Sequence, residues 1–221
     1  MKKLGFALMG LLMISSTGAF AQMSFGVKAG LNFSTMTNKT DGKKDKDDET
    51  KFKPGINVGA FADFELSDML AVEAGMNVEA KGYKTKHEFK EEITGFKEKR
   101  ITKMSLLYVT VPVDVKLTFG SFYVLAGPYV GIAVIGKSKT KTEHDNDTFK
   151  ESFDIEFGND QDKSLYKRLD AGLGFGAGYE INNNLGVRAG YDLGLMNLQP
   201  GGDKDNSIKN GSINISATYK F

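Results

Sequence analysis

The sequence predicts an all-β protein: an eight-stranded, antiparallel, up-and-down transmembrane β-barrel behind a cleavable export signal. Three observations predict it. Eight segments alternate apolar and polar residues with a period of two. The connections between them alternate strictly between short and long. The N-terminus has the charge and hydropathy pattern of a secretory signal, and no apolar run of 18 or more residues follows it.

The N-terminal pattern sets the compartment. Lys2 and Lys3 precede an apolar stretch over 4–14, and a Ser/Thr/Gly segment leads to Ala19-Phe20-Ala21, a small-x-small cleavage site. The apolar stretch is too short to span a bilayer as a helix. Cleavage after Ala21 makes 1–21 the signal peptide and 22–221 the mature domain, and the residue there, Gln22, is not the cysteine a lipoprotein needs. A chain that crosses the inner membrane with no helix to hold it there is periplasmic, secreted or a barrel.

Composition removes several classes. The 221 residues suit a single domain, and the absence of cysteine excludes disulfides, thiolate metal sites and thiol nucleophiles. Lys+Arg at 29 against Asp+Glu at 28 gives none of the basic excess that nucleic acid requires.

The first strand is read over 24–34, where Phe25, Val27, Ala29, Leu31 and Phe33 alternate with Gly26, Lys28, Gly30, Asn32 and Ser34. The same period recurs over 56–66, 70–81, 107–117, 122–135, 171–181, 185–194 and 213–221. The second and third segments meet across 67–69, the fourth and fifth across 119–121, and the sixth and seventh across 182–184. The other connections, about 35–53, 84–100, 137–166 and 196–210, are long and charged. Tight periplasmic turns facing long extracellular loops produce this sorting.

The polar face decides which side is wet. Lys28, Asp63, Glu65, Glu73, Glu79, Lys81, Asp114, Lys116, Asp170, Glu180, Arg188, Asp192 and Lys220 all lie opposite the apolar residues. A periplasmic lipocalin-like binder is the alternative, with the apolar face inside and the charges in water. The sorted loops, the small residues on the polar face and the ending Tyr219-Lys220-Phe221 favour the membrane barrel, whose charges must pair internally. Eight strands enclose little beyond their own side chains. Arg188, Lys81, Lys116 and their acidic neighbours are therefore expected to fill the lumen as an ion-pair network, with Tyr83, Tyr108, Tyr123 and Tyr129 beside them. Pro128 sits badly inside the fifth strand, because it removes a ladder donor; a bulge or an interfacial position is expected there.

Three stretches carry a family resemblance: Phe25-Gly26-Val27-Lys28-Ala29-Gly30-Leu31-Asn32-Phe33-Ser34, the run from Tyr108 to Lys116, and the run from Phe122 to Gly131. With Gly172 to Tyr179 and Leu185 to Tyr191, they resemble the outer-membrane protein β-barrel family, in its PorT-like or OmpX-type small barrels. The resemblance implies residence in the outer membrane of a Gram-negative cell. PorT-like members are linked to secretion, a role that no residue here singles out. Phe221 looks like the terminal aromatic that the barrel-assembly machinery recognises.

No catalytic, cofactor-binding or metal-binding residue set is predicted. His87 and His144, the only histidines, fall in expected external loops. The acidic runs 45–49 and 154–162 match no ordered Ca²⁺ loop, and in the first a lysine is interleaved with the acids. A structural or surface-interaction barrel is expected, its charged loops meeting lipopolysaccharide, surface ligands or partner proteins. A narrow porin-like channel or a secretion-associated barrel is the alternative. The export reading predicts a mature N-terminus at Gln22, which intact-mass measurement of the membrane-extracted protein tests; a mass retaining residues 1–21 overturns it.

Overall fold

The computed structural model describes residues 23–44, 51–90, 97–144 and 147–221. Its ten strands are β1 (Met23–Thr40), β2 (Lys43–Lys44), β3 (Lys53–Glu65), β4 (Leu70–Lys90), β5 (Lys97–Phe119), β6 (Phe122–His144), β7 (Asp147–Asp154), β8 (Leu169–Glu180), β9 (Leu185–Gly194) and β10 (Ser207–Lys220). Eight of them form the barrel in the order β1-β3-β4-β5-β6-β8-β9-β10, every neighbour antiparallel. β10 returns to β1 along a seam running from the Gly26–Lys220 pair to the Lys39–Ser207 pair. Closure leaves neither strand with an open edge, which a bilayer requires because it offers no water to unpaired amides.

Side-chain alternation then sorts the residues. Outward positions carry Phe25, Leu31, Ile56, Val113, Val130 and Ile215, with Ile56 63% exposed. Inward positions carry Glu73, Lys81, Lys116 and Asp170, the first only 2% exposed. That arrangement is the reverse of a lipocalin-like binder: the apolar surface faces out and the charges face in. Glu65 departs from expectation, since it is exposed at the end of β3 rather than enclosed. Phe61, inward among the charges, is buried.

The short connections are built as tight turns. Ser67 Oγ accepts from the amides of Met69 and Leu70, and Asn182 Oδ1 accepts from those of Asn184 and Leu185. Gly120 turns the third at φ 61°, where a side chain would be strained. These turns mark the periplasmic end.

The other end is lopsided. β4, β5 and β6 are 21, 23 and 23 residues long, whereas β8 and β9 are 12 and 10. A tilted crossing takes roughly 9–11 residues, so β8 and β9 only span the membrane. β4, β5 and β6 continue as a tall wall, to which β7 adds by pairing with the end of β6. Much of the sequence read as loop over 84–100 and 137–166 is therefore strand. The run 45–49 lies outside the described residues.

Two prolines shape this wall. The β4–β5 register passes from Ala74–Val113 directly to Asn77–Thr110, leaving a gap at Pro112. The β5–β6 register passes from Pro112–Tyr129 to Val115–Ala126, leaving a second gap at Pro128. Each proline withholds one amide and interrupts one ladder without shifting its register. The bulge expected at Pro128 lies instead at Val134, unpaired between Leu107–Ile135 and Tyr108–Ala133. It resets the inward phase of β6, so Ala133 is buried, Val134 and Ile135 both face out, and Gly136 and Ser138 are buried again.

Candidate functional site

Two features distinguish this barrel: the contents of the lumen and what closes its outer mouth. Register places Asp63, Glu73 and Asp114 side by side on β3, β4 and β5, three carboxylates pointing inward in one row. Like charges directly opposed destabilise a sheet, so cations from across the lumen must offset them. Arg188 on β9 donates from both Nη atoms to the two oxygens of Glu73, each at 2.6 Å, and from Nε to Tyr123 Oη at 3.1 Å. The bidentate fork is the strongest geometry available to such a pair. Its guanidinium also lies 5.4 Å from the ring centre of Phe61.

Lys116 donates to Asp63 at 2.8 Å and lies 3.9 Å from Glu73. Lys220 reaches Glu180 at 2.6 Å and Asp63 at 3.5 Å, completing the cluster above the periplasmic turns. Higher in the lumen, Lys81 pairs with Glu79 at 3.0 Å and Asp192 at 3.8 Å, with the Tyr129 ring 4.8 Å away. Asp170 accepts from Asn210 at 2.9 Å and from Tyr129 at 3.4 Å. Glycine makes room for the rings: Gly178 lies against Tyr123 and Gly172 against Tyr129, where a Cβ would collide with either.

A cavity of about 60 Å³ remains in the middle, bordered by Lys28, Asn57, Asn77, Asp114, Asp192 and Asn214 among others. Asp114 Oδ1, Asn57 Nδ2 and Asn77 Oδ1 have no protein hydrogen bond. A polar space of that size accommodates a few waters, which would satisfy them. A second space of about 140 Å³ opens at the periplasmic mouth near Asp63, Lys116, Glu180 and Lys220. Arg188, Glu73, Tyr123 and Lys116 form the partition between them.

The outer mouth is sealed differently. Ile155, Tyr166 and Leu198, from the connections after β7 and β9, pack with Met36, Met104, Leu106, Tyr108 and Ala133 into an apolar cluster. Backbone bonds fix this cap: Ile155 donates to Gly136 at 2.9 Å, Ala133 to Arg168 at 2.8 Å, Lys167 to Leu198 at 2.7 Å and Leu198 to Ile208 at 2.8 Å. Tyr83 meets Tyr166 through their hydroxyls at 3.2 Å. In the β9–β10 connection, backbone amides of Asn206 and Asp205 hold the Asp203 carboxyl below its usual range. The cap escaped sequence reasoning because the alternation of Phe153, Ile155 and Phe157 covers only three apolar positions in a charged segment, and Tyr166 and Leu198 lie in stretches with no strand period.

Both histidines stand on the wall strands. His87 lies on β4 opposite Arg100, and His144 ends β6 opposite Glu98, on either side of β5 near the top of the wall. The run 154–162 is divided between the end of β7 and a turn, with Asp154 3.7 Å from Lys137. Among the described residues, no group of three His, Asp or Glu side chains lies close enough to hold a metal ion.

A closed sheet with an apolar exterior and an ion-paired interior defines an integral outer-membrane β-barrel. Residues 20–199 match the outer membrane protein β-barrel domain family, and the chain belongs to it. The match is to the domain as a whole and carries no PorT-like or OmpX-type assignment. No curated protein matches the chain. Among solved structures, it is similar to Ail, the attachment invasion locus protein of Yersinia pestis, at 18% identity over 90% of this chain and 99% of that one, with a TM-score of 0.39. Neisserial surface protein A is similar at 11% identity, 90% and 99% coverage and a TM-score of 0.46. OprG of Pseudomonas aeruginosa is similar at 16% identity, 90% and 95% coverage and a TM-score of 0.35.

The interior geometry predicts the response to mutation. Arg188→Met strands Glu73 and lowers stability by roughly 3–5 kcal/mol, whereas Glu73→Leu with Arg188→Met recovers most of that loss. Denaturant unfolding of the detergent-solubilised barrel measures both; equal loss in the single and double variants contradicts the assignment.

Proposed function

We propose that this protein is a closed, non-conducting barrel that anchors a surface platform, rather than a pore or a catalyst. The observation that supports this reading most is the double closure of the lumen. The Glu73–Arg188–Tyr123 partition fills its waist, and the apolar cluster of Ile155, Tyr166 and Leu198 covers its outer mouth. An ion crossing this path would have to break a buried bidentate pair and then pass a dry cap. The tall wall fits the same reading, since a pore needs no sheet rising well beyond the bilayer, whereas a surface for partners does.

Phe221 fits a role in assembly as the aromatic handle for barrel insertion. Its amide donates to Phe25 at 2.9 Å, its ring meets Tyr219 edge-on at 5.5 Å, and the side chain remains exposed. The platform reading predicts no stable openings when the refolded protein is incorporated into a planar bilayer at single-channel resolution. Discrete, reproducible conductance steps would overturn it in favour of a narrow channel.

A further inference from the structure

The outer face of the tall wall carries a charge pattern that the barrel itself does not need. Register aligns Lys84 on β4, Lys103 on β5 and Lys139 on β6 as direct cross-strand neighbours. All three share the outward face with Leu107 and Ile135, four residues lower on β5 and β6. Two residues above the row stand Lys86 and Lys141, and two below stands Lys137. Lys150 joins them from β7, opposite Lys141.

Three ammonium groups opposed in this way weaken a sheet. Among the described residues, the acids that form ion pairs in this region are engaged elsewhere. Glu143 serves Lys141 and Lys99, whose hydrogen bonds hold its carboxyl below the usual range, and Asp154 serves Lys137. Among the described residues, Lys84, Lys103 and Lys139 take part in no ion pair. A groove of about 560 Å³ runs along them, lined by Lys84, Ile101, Lys103, Lys139, Lys141 and Lys150, with Glu151 its one acidic side chain.

Height identifies what the row faces. Leu107 and Ile135 end the apolar band on these strands, and the lysine row stands four residues above them, roughly 10 Å higher for a tilted strand. That level is the headgroup layer, and the side chains point sideways into neighbouring lipid rather than up into solvent. We propose that Lys84, Lys103 and Lys139 form a binding site for the phosphate groups of a phosphorylated outer-leaflet glycolipid of the lipid A type. The site rests on the platform reading only in requiring a bilayer-embedded wall. Cations on a β-sheet at this depth meet lipid phosphates in preference to a soluble polyanion, which could reach the row only from above.

The test uses the full mature protein in detergent micelles, with bisphosphorylated lipid A as the probe and thermophoresis as the readout. Lys84→Gln/Lys103→Gln/Lys139→Gln is expected to weaken binding at least about tenfold. Lys43→Gln/Lys163→Gln/Lys204→Gln removes the same charge from exposed positions on β2 and in the connections after β7 and β9, and is expected to leave binding unchanged. Lipid A stripped of phosphate should bind the wild-type protein no better than it binds the row variant. Heat-modifiable mobility in SDS confirms each barrel, and the row variant should be at least as stable as wild type because it relieves repulsion. Lys103→Gln alone provides a milder second variant. Undiminished binding by a folded row variant, or equal binding of phosphate-free lipid A, overturns the proposal. So does row-dependent binding of a heparin oligosaccharide with none of lipid A. Ion conduction with lipid binding intact would instead overturn the platform reading alone.

Discussion

The structure depends on the pairing of β1 with β10. In hydrocarbon an unpaired amide or carbonyl has no water to turn to, so a sheet survives there only if its first and last strands meet. The seam does this over 14 consecutive residue pairs, from Gly26–Lys220 to Lys39–Ser207. Once the sheet is closed, a period-two sequence has only two destinations for its side chains, lipid and lumen. The apolar set must take the first and the charged set the second.

Burying that charged set creates the second constraint. Asp63, Glu73 and Asp114 share one row, and their mutual repulsion is compensated because β9 brings Arg188, and β5 and β10 bring Lys116 and Lys220, into the same small lumen. These pairs rarely stabilise a fold relative to apolar filling, but removing one partner is costly. The network therefore fixes register, since a slip of one residue in β4 would turn Glu73 into lipid and leave Arg188 without its carboxylate. The plugging of the lumen follows from the same pairs that hold the sheet in place.

Much of this was legible in the sequence. Alternation located the eight barrel strands, and the sorted connections oriented them. The charges opposite the apolar set foretold a lumen held by Arg188, Lys81 and Lys116. What was not legible follows from where alternation loses its meaning. Above the hydrocarbon core both faces of β4, β5 and β6 meet polar surroundings, so residues such as Lys84, Thr102 and Lys139 carry no apolar stripe and read as loop. Val134 was hidden because a bulge is visible only as a mismatch between two strands. Glu65 followed the period of β3 but lies past the last enclosed layer. Ile155, Tyr166 and Leu198 find one another only after the long connections fold back across the mouth. Pro128 drew attention correctly, but its effect is a gap in one ladder rather than a change of register.

The absence of cysteine allows the seam to be tested without background. Ala29 and Ala217 are direct partners across it, with Cβ atoms of such pairs about 4.5–5.5 Å apart. In Ala29→Cys/Ala217→Cys, mild oxidation of the membrane-embedded protein should form an intramolecular disulfide. Non-reducing electrophoresis of the boiled protein would then reveal a looped chain of altered mobility that returns to normal on reduction. Efficient crosslinking establishes closure of β1 on β10 in the register described. A folded, membrane-inserted protein that fails to crosslink would contradict the closed barrel on which the account rests.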